Sequence, residues 1–298
     1  MEIRRLDVAT AEGAAELFRE LQPSVVTSAS FLLHRDAAMP ERARRLSLVA
    51  VDGGSVAGWA SANLKWVGGS LSDARVWVAV LPSHRRRGLG TELADRVEGH
   101  AIEAGATTIV TLVENDPAGA EFARRRGYRQ AGAEVISTLE PRRVEPPPLS
   151  GFEVATLADL AGAERQLFEL WLEAGAYPPL GDAPDLEEWQ RTVLESPLLE
   201  PCGSFTLLDG DRRPVSLAWL LVDHERRQAE NEWTATLPRL RGQGLARVAK
   251  LHTIRWAAEN GIRAILTASD EDNVAMLELN RSLGYRRLWR QRSFEREV

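Results

Sequence analysis

Residues 81–93 read LPSHRRRGLGTEL: Leu81-Pro82 closes an apolar run, three arginines follow, and a Gly-x-Gly opens a helical stretch. The chain repeats the arrangement at 237–249 as LPRLRGQGLARVA. A strand that stops at Leu-Pro, followed by a helix beginning inside a small-residue loop, leaves backbone N–H groups with no partner in the helix. Those donors, with the positive end of the helix dipole, make a seat for an anion and for phosphate above all. Gly88, Gly90, Gly242 and Gly244 let a ligand approach the backbone, and Arg85, Arg86, Arg87 and Arg241 add charge. Pyrophosphate is the ligand this pattern suits.

Landmarks around the two stretches recur at nearly constant offset. Trp77 and Trp233, Pro82 and Pro238, and Gly88 and Gly244 stand 156 apart, Gly127-Tyr128 and Gly284-Tyr285 157, and Asn115 and Asn273 158. This is duplication of one unit rather than a short-period array. Between the copies lies LEPRRVEPPPLSG, residues 139–151, whose three consecutive prolines no strand or helix interior accepts. The expected organisation is an N-terminal domain over 1–140, a linker over 141–150 and a C-terminal domain over 151–298. Each copy predicts a strand, a helix, an irregular stretch, a hairpin marked by Asp-Gly, a strand ending at Leu-Pro, the loop and its helix, then a strand, a short helix and Gly-Tyr. The class is α/β. The helix after the first loop shows Leu89, Leu93, Val97 and Ala101 on one face. The second shows Leu245, Val248, Ala249, His252 and Trp256, which makes His252 a core residue.

A net charge of −6 argues against nucleic-acid binding, whose affinity comes largely from neutralising phosphates. No apolar targeting segment opens the chain, and no run approaches the roughly 18 apolar residues of a membrane span, so a cytoplasmic protein without a membrane partner is expected. Cys202 is the single cysteine, which excludes internal disulfides and thiolate metal clusters, and no metal site is expected.

The loop is no generic nucleotide motif: Gly88-Leu89-Gly90 lacks the third glycine of a dinucleotide fingerprint, and there is no Gly-Lys-Ser/Thr. In its full context of strand, Leu-Pro, Arg-x-x-Gly-x-Gly/Ala, helix, strand and Gly-Tyr, the chain resembles the GNAT family of N-acyltransferases, in a tandem form similar in layout to the mycothiol synthases. The resemblance implies two domains, each a mixed sheet splayed at its centre and flanked by helices, with acetyl-CoA or another acyl-CoA as cosubstrate. It would place the cofactor on Val78, Ala79, Val80, Arg85, Arg86, Arg87, Gly88, Leu89, Gly90 and Thr91, with Asn115 near the pantetheine. In the second copy it would use Thr234, Ala235, Thr236, Arg241, Gly242, Gln243, Gly244, Leu245, Ala246 and Arg247, with Asn273. Either asparagine also suits a helix cap.

Acyl transfer to an amine needs a proton acceptor. The resemblance places a carboxylate on the fourth strand of each domain. The second copy offers Glu230 and Glu232 there, on one strand face, with Glu232 nearer the reacting end. The first offers only the more distant Asp73. The tyrosine that many relatives carry four residues before the final glycine is replaced by Ala123 and Asn280. Residues 177–200 carry Asp182, Asp185, Glu187, Glu188, Glu195 and Glu200 against Arg191, whereas 21–47 are rich in arginine. An acidic wall would gather a cationic amine. Trp171, Trp189, Trp219 and Trp233 suit either core or pocket. The expectation is an acetyl-CoA-dependent N-acetyltransferase acting on a small primary amine by direct transfer in a ternary complex. The second half would be catalytic and the first a fold partner able to bind CoA. The alternatives are a non-catalytic acyl-CoA sensor and catalysis in the first half. A monomer or homodimer is expected.

Overall fold

Strand and helix alternate as expected in a computed structural model, which describes residues 1–66, 70–175 and 183–298. Contacts divide the chain into two compact units, and neither is continuous in sequence.

The first unit comprises Met1–Glu134, 183–192 among the described residues, and Arg290–Val298. Its elements are β1 (Glu2–Arg5), α1 (Val8–Leu21), α2 (Ala29–Ala38), β2 (Leu46–Asp52), β3 (Ser55–Leu64), β4 (Asp73–Val80), α3 (Leu89–Glu103), β5 (Thr108–Glu114) and α4 (Pro117–Arg125). Asp7 starts α1 with a reciprocal capping box to Thr10. Gly53 and Gly54, both at positive φ, turn β2 into β3. The strand order is β1-β2-β3-β4-β5, and the chain's last strand, β12 (Arg286–Glu297), adds to β5 antiparallel from Gln291 to Glu297. Strand alternation divides the core in two. Val76 and Val80 pack with Leu89 and Leu93 of α3 on one face. Trp77 and Ala79 pack with Phe18 and Trp59 on the α1 face, where the Phe18 and Trp59 rings meet edge-on at 4.6 Å.

The second unit comprises 135–175 among the described residues and Val193–Trp289. It contains the end of β6 (Arg129–Leu139), then β7 (Glu153–Thr156), α5 (Glu164–Glu173), β8 (Phe205–Leu208), β9 (Pro214–Asp223), β10 (Gln228–Thr236), α7 (Leu245–Glu259), β11 (Ala264–Asp270) and α8 (Val274–Leu283). Between α5 and β8 the chain forms α6 (Leu186–Trp189), which belongs to the first unit. Strand order is β6-β11-β10-β9-β8-β7, and β9 is buried along its whole length because both faces are covered. The Asp-Gly at 209–210 makes a longer hairpin loop than its counterpart, with Asp209 Oδ1 accepting from the N–H groups of Asp211 and Arg213, each at 3.0 Å.

The units cross the expected domain boundaries at their final strands. The first copy's last strand, β6, supplies Val135–Leu139 to the second unit, and the second copy's last strand completes the first. Residues 140–149 contain neither helix nor strand.

Candidate active site

In the first unit β4 and β5 are paired in parallel at only three positions, Asp73 with Thr108 through Arg75 with Val110. Beyond these the strands part. The opening is a cleft of about 650 Å³ that passes through the sheet. Gly90, Thr91 and Glu98 of α3 line it on one side, and Leu21, Gln22 and Trp77 on the α1 side. Of the expected cofactor residues, Val78, Ala79, Val80, Arg85, Arg86, Gly88, Gly90 and Thr91 line this cleft. Leu89 turns its side chain into the core at 1% exposure, so it offers the cleft no more than its N–H. Arg87 and Asn115 are not among the lining residues. Asn115 does not cap α4; the cap is Asp116, which accepts from Ala118 N–H at 3.0 Å.

Gly88 has φ +86, a left-handed conformation that a side chain would strain, and it precedes α3 with no side-chain cap. The first bond of the α3 ladder is donated by Glu92 to Gly88 O at 3.0 Å, so the N–H groups of Leu89, Gly90 and Thr91 precede that ladder. Gly244 repeats this at φ +83 ahead of α7, where Val248 donates to Gly244 O at 3.1 Å. The signature arginines also match each other. Arg85 Nε donates to Val80 O at 3.0 Å and its guanidinium meets Asp116 at 3.3 Å. Arg241 Nε donates to Thr236 O at 3.2 Å and Nη2 to Ala174 O at 2.8 Å. Each therefore ties its loop back to the strand it follows. Sequence reasoning gave these guanidinium groups to the pyrophosphate alone, because the pattern does not show where the carbonyls lie.

The second unit opens in the same way: β10 and β11 pair at Gln228, Ala229 and Glu230 and then separate. Here β10 also slips register against β9 between Asn231 and Trp233, which leaves Glu232 as the extra residue of a bulge; it is exposed. In the first unit β4 runs against β3 without such a slip. Asn231, 3% exposed, holds the bulge by donating Nδ2 to Trp219 O at 3.0 Å. Its one advance signal was a buried-strand position occupied by a residue strands disfavour. Thr234 donates to Asn231 Oδ1 at 3.1 Å, Thr236 Oγ1 lies 2.7 Å from Ser216 Oγ, and Ala235 and Leu245 are buried. Gly242 (φ +79) and Gln243 are exposed, Ala246 is half-buried, and Arg247 donates to Ser282 Oγ on α8 at 2.7 Å. Asn273 does cap α8, accepting from Met276 N–H at 3.2 Å.

Two stretches, 12–128 and 165–285, match the family model described as "Acetyltransferase (GNAT) family". The chain belongs to that family. It is an acetyltransferase with two GNAT regions. Among curated relatives, a mycothiol acetyltransferase of Geodermatophilus obscurus is 29% identical over 74% of this chain and 73% of its own length. A protein of the same name from Parafrankia is 24% identical over 80% of both. Among solved structures, a tandem GNAT protein from the clavulanic acid biosynthesis pathway superposes with a TM-score of 0.74 at 19% identity, covering 99% of this chain and 98% of that one. A GCN5-related N-acetyltransferase from Sphaerobacter thermophilus gives 0.72 at 18%, over 99% and 95%. Both likenesses are of fold.

Part of the acidic stretch assigned to the second GNAT unit, residues 183–192, lies in the first, while Glu195 and Glu200 remain in the second. In the first unit Glu188, 8% exposed, forms a two-pronged ion pair with Arg42, and Arg191 donates to Ala38 O at 2.7 Å. The expected acidic and basic stretches thus meet in that unit at the Arg42–Glu188 pair, and Glu187 lies 3.8 Å from Arg191 of its own stretch. Asp182 and the stretch around it lie outside the described residues, and Glu200 pairs with His224 at 2.9 Å. Trp171, Trp189, Trp219 and Trp233 are all core residues. Asp73 sits at the closed end of the β4–β5 splay, 3.7 Å from Lys65.

The Gly-Tyr tyrosines, unremarked as site residues, are buried and differently served. Tyr128 donates to Glu98 at 3.0 Å, and Glu98 also receives Arg126 at 2.9 Å and Arg296 of β12 at 2.7 Å. Burial first, then the Glu98 carboxylate, raises the Tyr128 pKa well above that of an ordinary phenol. Glu98, Arg126 and Tyr128 line the cleft. On α7 the buried face is Leu245, Val248, Ala249, Lys250, Thr253, Ile254 and Ala257. His252 and Trp256, expected on that face, are only half-buried, and His252 stacks on Phe205 at 5.1 Å. Lys250 takes their place, fully buried. Among the described residues no helix is long and apolar enough to cross a membrane.

Proposed function

We propose that the protein is an acetyl-CoA-dependent N-acetyltransferase of a small primary amine, and that the second unit carries out the transfer with Glu232 as base. The observation that carries this reading is the bulge at Glu232, at the level where β10 parts from β11. A bulge leaves one residue unpaired and can re-aim its side chain, and here the unpaired residue is a carboxylate beside the track expected for the thioester. Pantetheine would bond to the edge of β10 at Thr234–Thr236 and of β4 at Val78–Val80. Pyrophosphate would sit on the N–H groups that precede α3 and α7. The relatives named mycothiol acetyltransferase support the acetyl donor.

In the transfer the amine nitrogen attacks the thioester carbonyl carbon in a ternary complex, Glu232 takes the proton, and the coenzyme A thiolate leaves. With Asn280 and Ala123 at the positions where many relatives have tyrosine, the thiolate takes its proton from water. Calorimetric titration should show up to two acetyl-CoA sites per chain, and an amine panel read by free-thiol release should show turnover. No acetyl-CoA binding would remove the reading. Binding with only background hydrolysis would leave a cofactor-binding protein in its place.

A further inference from the structure

The first unit's cleft does not end at the expected cofactor track. It continues through the β4–β5 opening to the α1 face, where Gln22 and Glu114 bring two acceptor groups among the apolar Leu21 and Trp77. Glu114, the last residue of β5 and 9% exposed, lines the cleft and accepts a hydrogen bond from Ser24 Oγ. Gln22, the C-cap of α1 and 7% exposed, also lines it, and its Oε1 is buried with no hydrogen-bond partner among the described residues. An ionised carboxylate and an amide oxygen only accept hydrogen bonds. A buried acceptor left without a donor is unfavourable, so the end of the cleft is built for a ligand rich in donors.

We infer that the first unit is a second acyl-transfer site, which receives a primary amine on the α1 side of the splay between Gln22 Oε1 and the Glu114 carboxylate. This rests on the acyl-CoA reading of the cleft. Glu114 stands four residues beyond the last β4–β5 pair, Arg75 with Val110, where the strands have separated. A thioester threaded from the α3 side along Val78–Val80 would present its carbonyl to the α1 side. The amine arrives there as an ammonium and gives one proton to solvent. Its nitrogen then bonds to the carbonyl carbon, the C–S bond breaks, Glu114 accepts the second proton, and the thiolate is protonated by water. The net reaction converts an ammonium and an acyl thioester into an amide, a free thiol and one released proton.

The test uses the full-length chain carrying Glu232→Gln, so that the second unit's proposed base is removed, with acetyl-CoA and putrescine, glucosamine and tyramine as probes. Thiol release above background is expected with at least one amine. Adding Glu114→Gln should lower kcat a further ~100-fold or more, remove the acidic limb of the pH–rate profile, and leave calorimetric acetyl-CoA binding unchanged. Gln22→Leu should raise the amine KM with little change in kcat, and it carries the test if Glu114→Gln fails to fold. The inference is overturned if the Glu232→Gln chain turns over none of the three amines, or if neither Glu114→Gln nor Gln22→Leu changes kcat or KM. Failure of the parent to bind acetyl-CoA would instead sink the cofactor reading on which both proposals stand.

Discussion

The ammonium nitrogen of Lys250 lies 5.0 Å from the centroid of the Tyr285 ring, and among the described residues neither Lys250 Nζ nor the Tyr285 hydroxyl has a hydrogen-bond partner. Lys250 is fully buried, and burial alone lowers its pKa from 10.5 to about 7. Only two of the chain's 37 Lys and Arg residues are lysines, Lys65 and Lys250. Arginine at this position would remain charged, whereas lysine can shed its proton when buried.

The sign of the consequence follows from linkage. Between about pH 7 and 10.5 the unfolded chain holds a proton on Lys250 that the folded chain has released, so stability rises with pH across that window. Below it both states are protonated, and the ammonium is buried at full cost. At ~1.36 kcal/mol per unit the whole climb is on the order of 5 kcal/mol. Lys250→Met fills similar space without the charge. Urea unfolding at pH 6.5 and pH 9.5, two conditions chosen on the order of the window's edges, should show the parent gaining stability with pH and the variant gaining distinctly less, with the variant more stable at the lower pH. Equal gains would mean that Lys250 remains charged in the folded chain.

Lys250 also marks where the sequence was least informative. Within a helical stripe a lysine counts as polar, so the stripe was drawn through His252 and Trp256, and the true face lies around Lys250, Thr253 and Ile254. The loops at 81–93 and 237–249 were legible because their constraints are local: a glycine at positive φ, a strand end and a helix start lie within a dozen residues. The exchange of final strands was not legible. Nothing in Arg286–Glu297 says which sheet edge it will join, since the choice depends on β5, far away in sequence. Glu188 was read as part of a field because its partner, Arg42, is likewise remote. Gln22 and Glu114 come together only through the fold.

The second prediction concerns the paired arginines. If Arg241 serves chiefly to hold its loop through Thr236 O and Ala174 O, then Arg241→Lys keeps the charge and loses the fork geometry. Acetyl-CoA affinity at that site should fall about tenfold, the equivalent of ~1.4 kcal/mol, and the salt dependence of binding should be unchanged. Retained affinity in the lysine variant would show that charge alone is what the loop needs, and attraction to the pyrophosphate would then be the principal role of Arg241.

The first unit should depend on the end of the chain. Arg296 bonds Glu98 at 2.7 Å and Arg126 O at 2.9 Å, and its guanidinium lies 5.0 Å from the Tyr128 ring centroid. Glu98 is 5% exposed and would be left with Arg126 and Tyr128. Arg296→Met should therefore destabilise the protein by ~2–3 kcal/mol, below the usual loss for a buried charge stripped of its only partner. Because Glu98, Arg126 and Tyr128 line the cleft, one acetyl-CoA site should weaken while the other is kept. Calorimetry that finds both sites intact in a destabilised variant would limit this cluster to holding β12 in place.

The last prediction tests the bulge. In a chain carrying Glu114→Gln, turnover should come from the second unit alone, and adding Glu232→Gln should then lower kcat by about 100- to 10,000-fold with acetyl-CoA binding kept. Glu230 is the needed control: it is the last β10 residue paired with β11 and precedes the bulge, so Glu230→Gln removes a negative charge from the same strand without touching the re-aimed position. A loss seen only at low amine concentration, and shared by both variants, would mean that the carboxylates steer a cationic amine. A loss that persists at saturating amine in Glu232→Gln alone would mean proton transfer at the bulge. Asn231→Leu should separate position from chemistry, since it removes the amide that holds the bulge to Trp219 O and leaves Glu232 in the chain. If Glu232 must be aimed by the bulge, this variant should lose kcat nearly as fully as Glu232→Gln; if it keeps full turnover, the carboxylate acts without the bulge, and the observation chosen to carry the catalytic assignment is the wrong one.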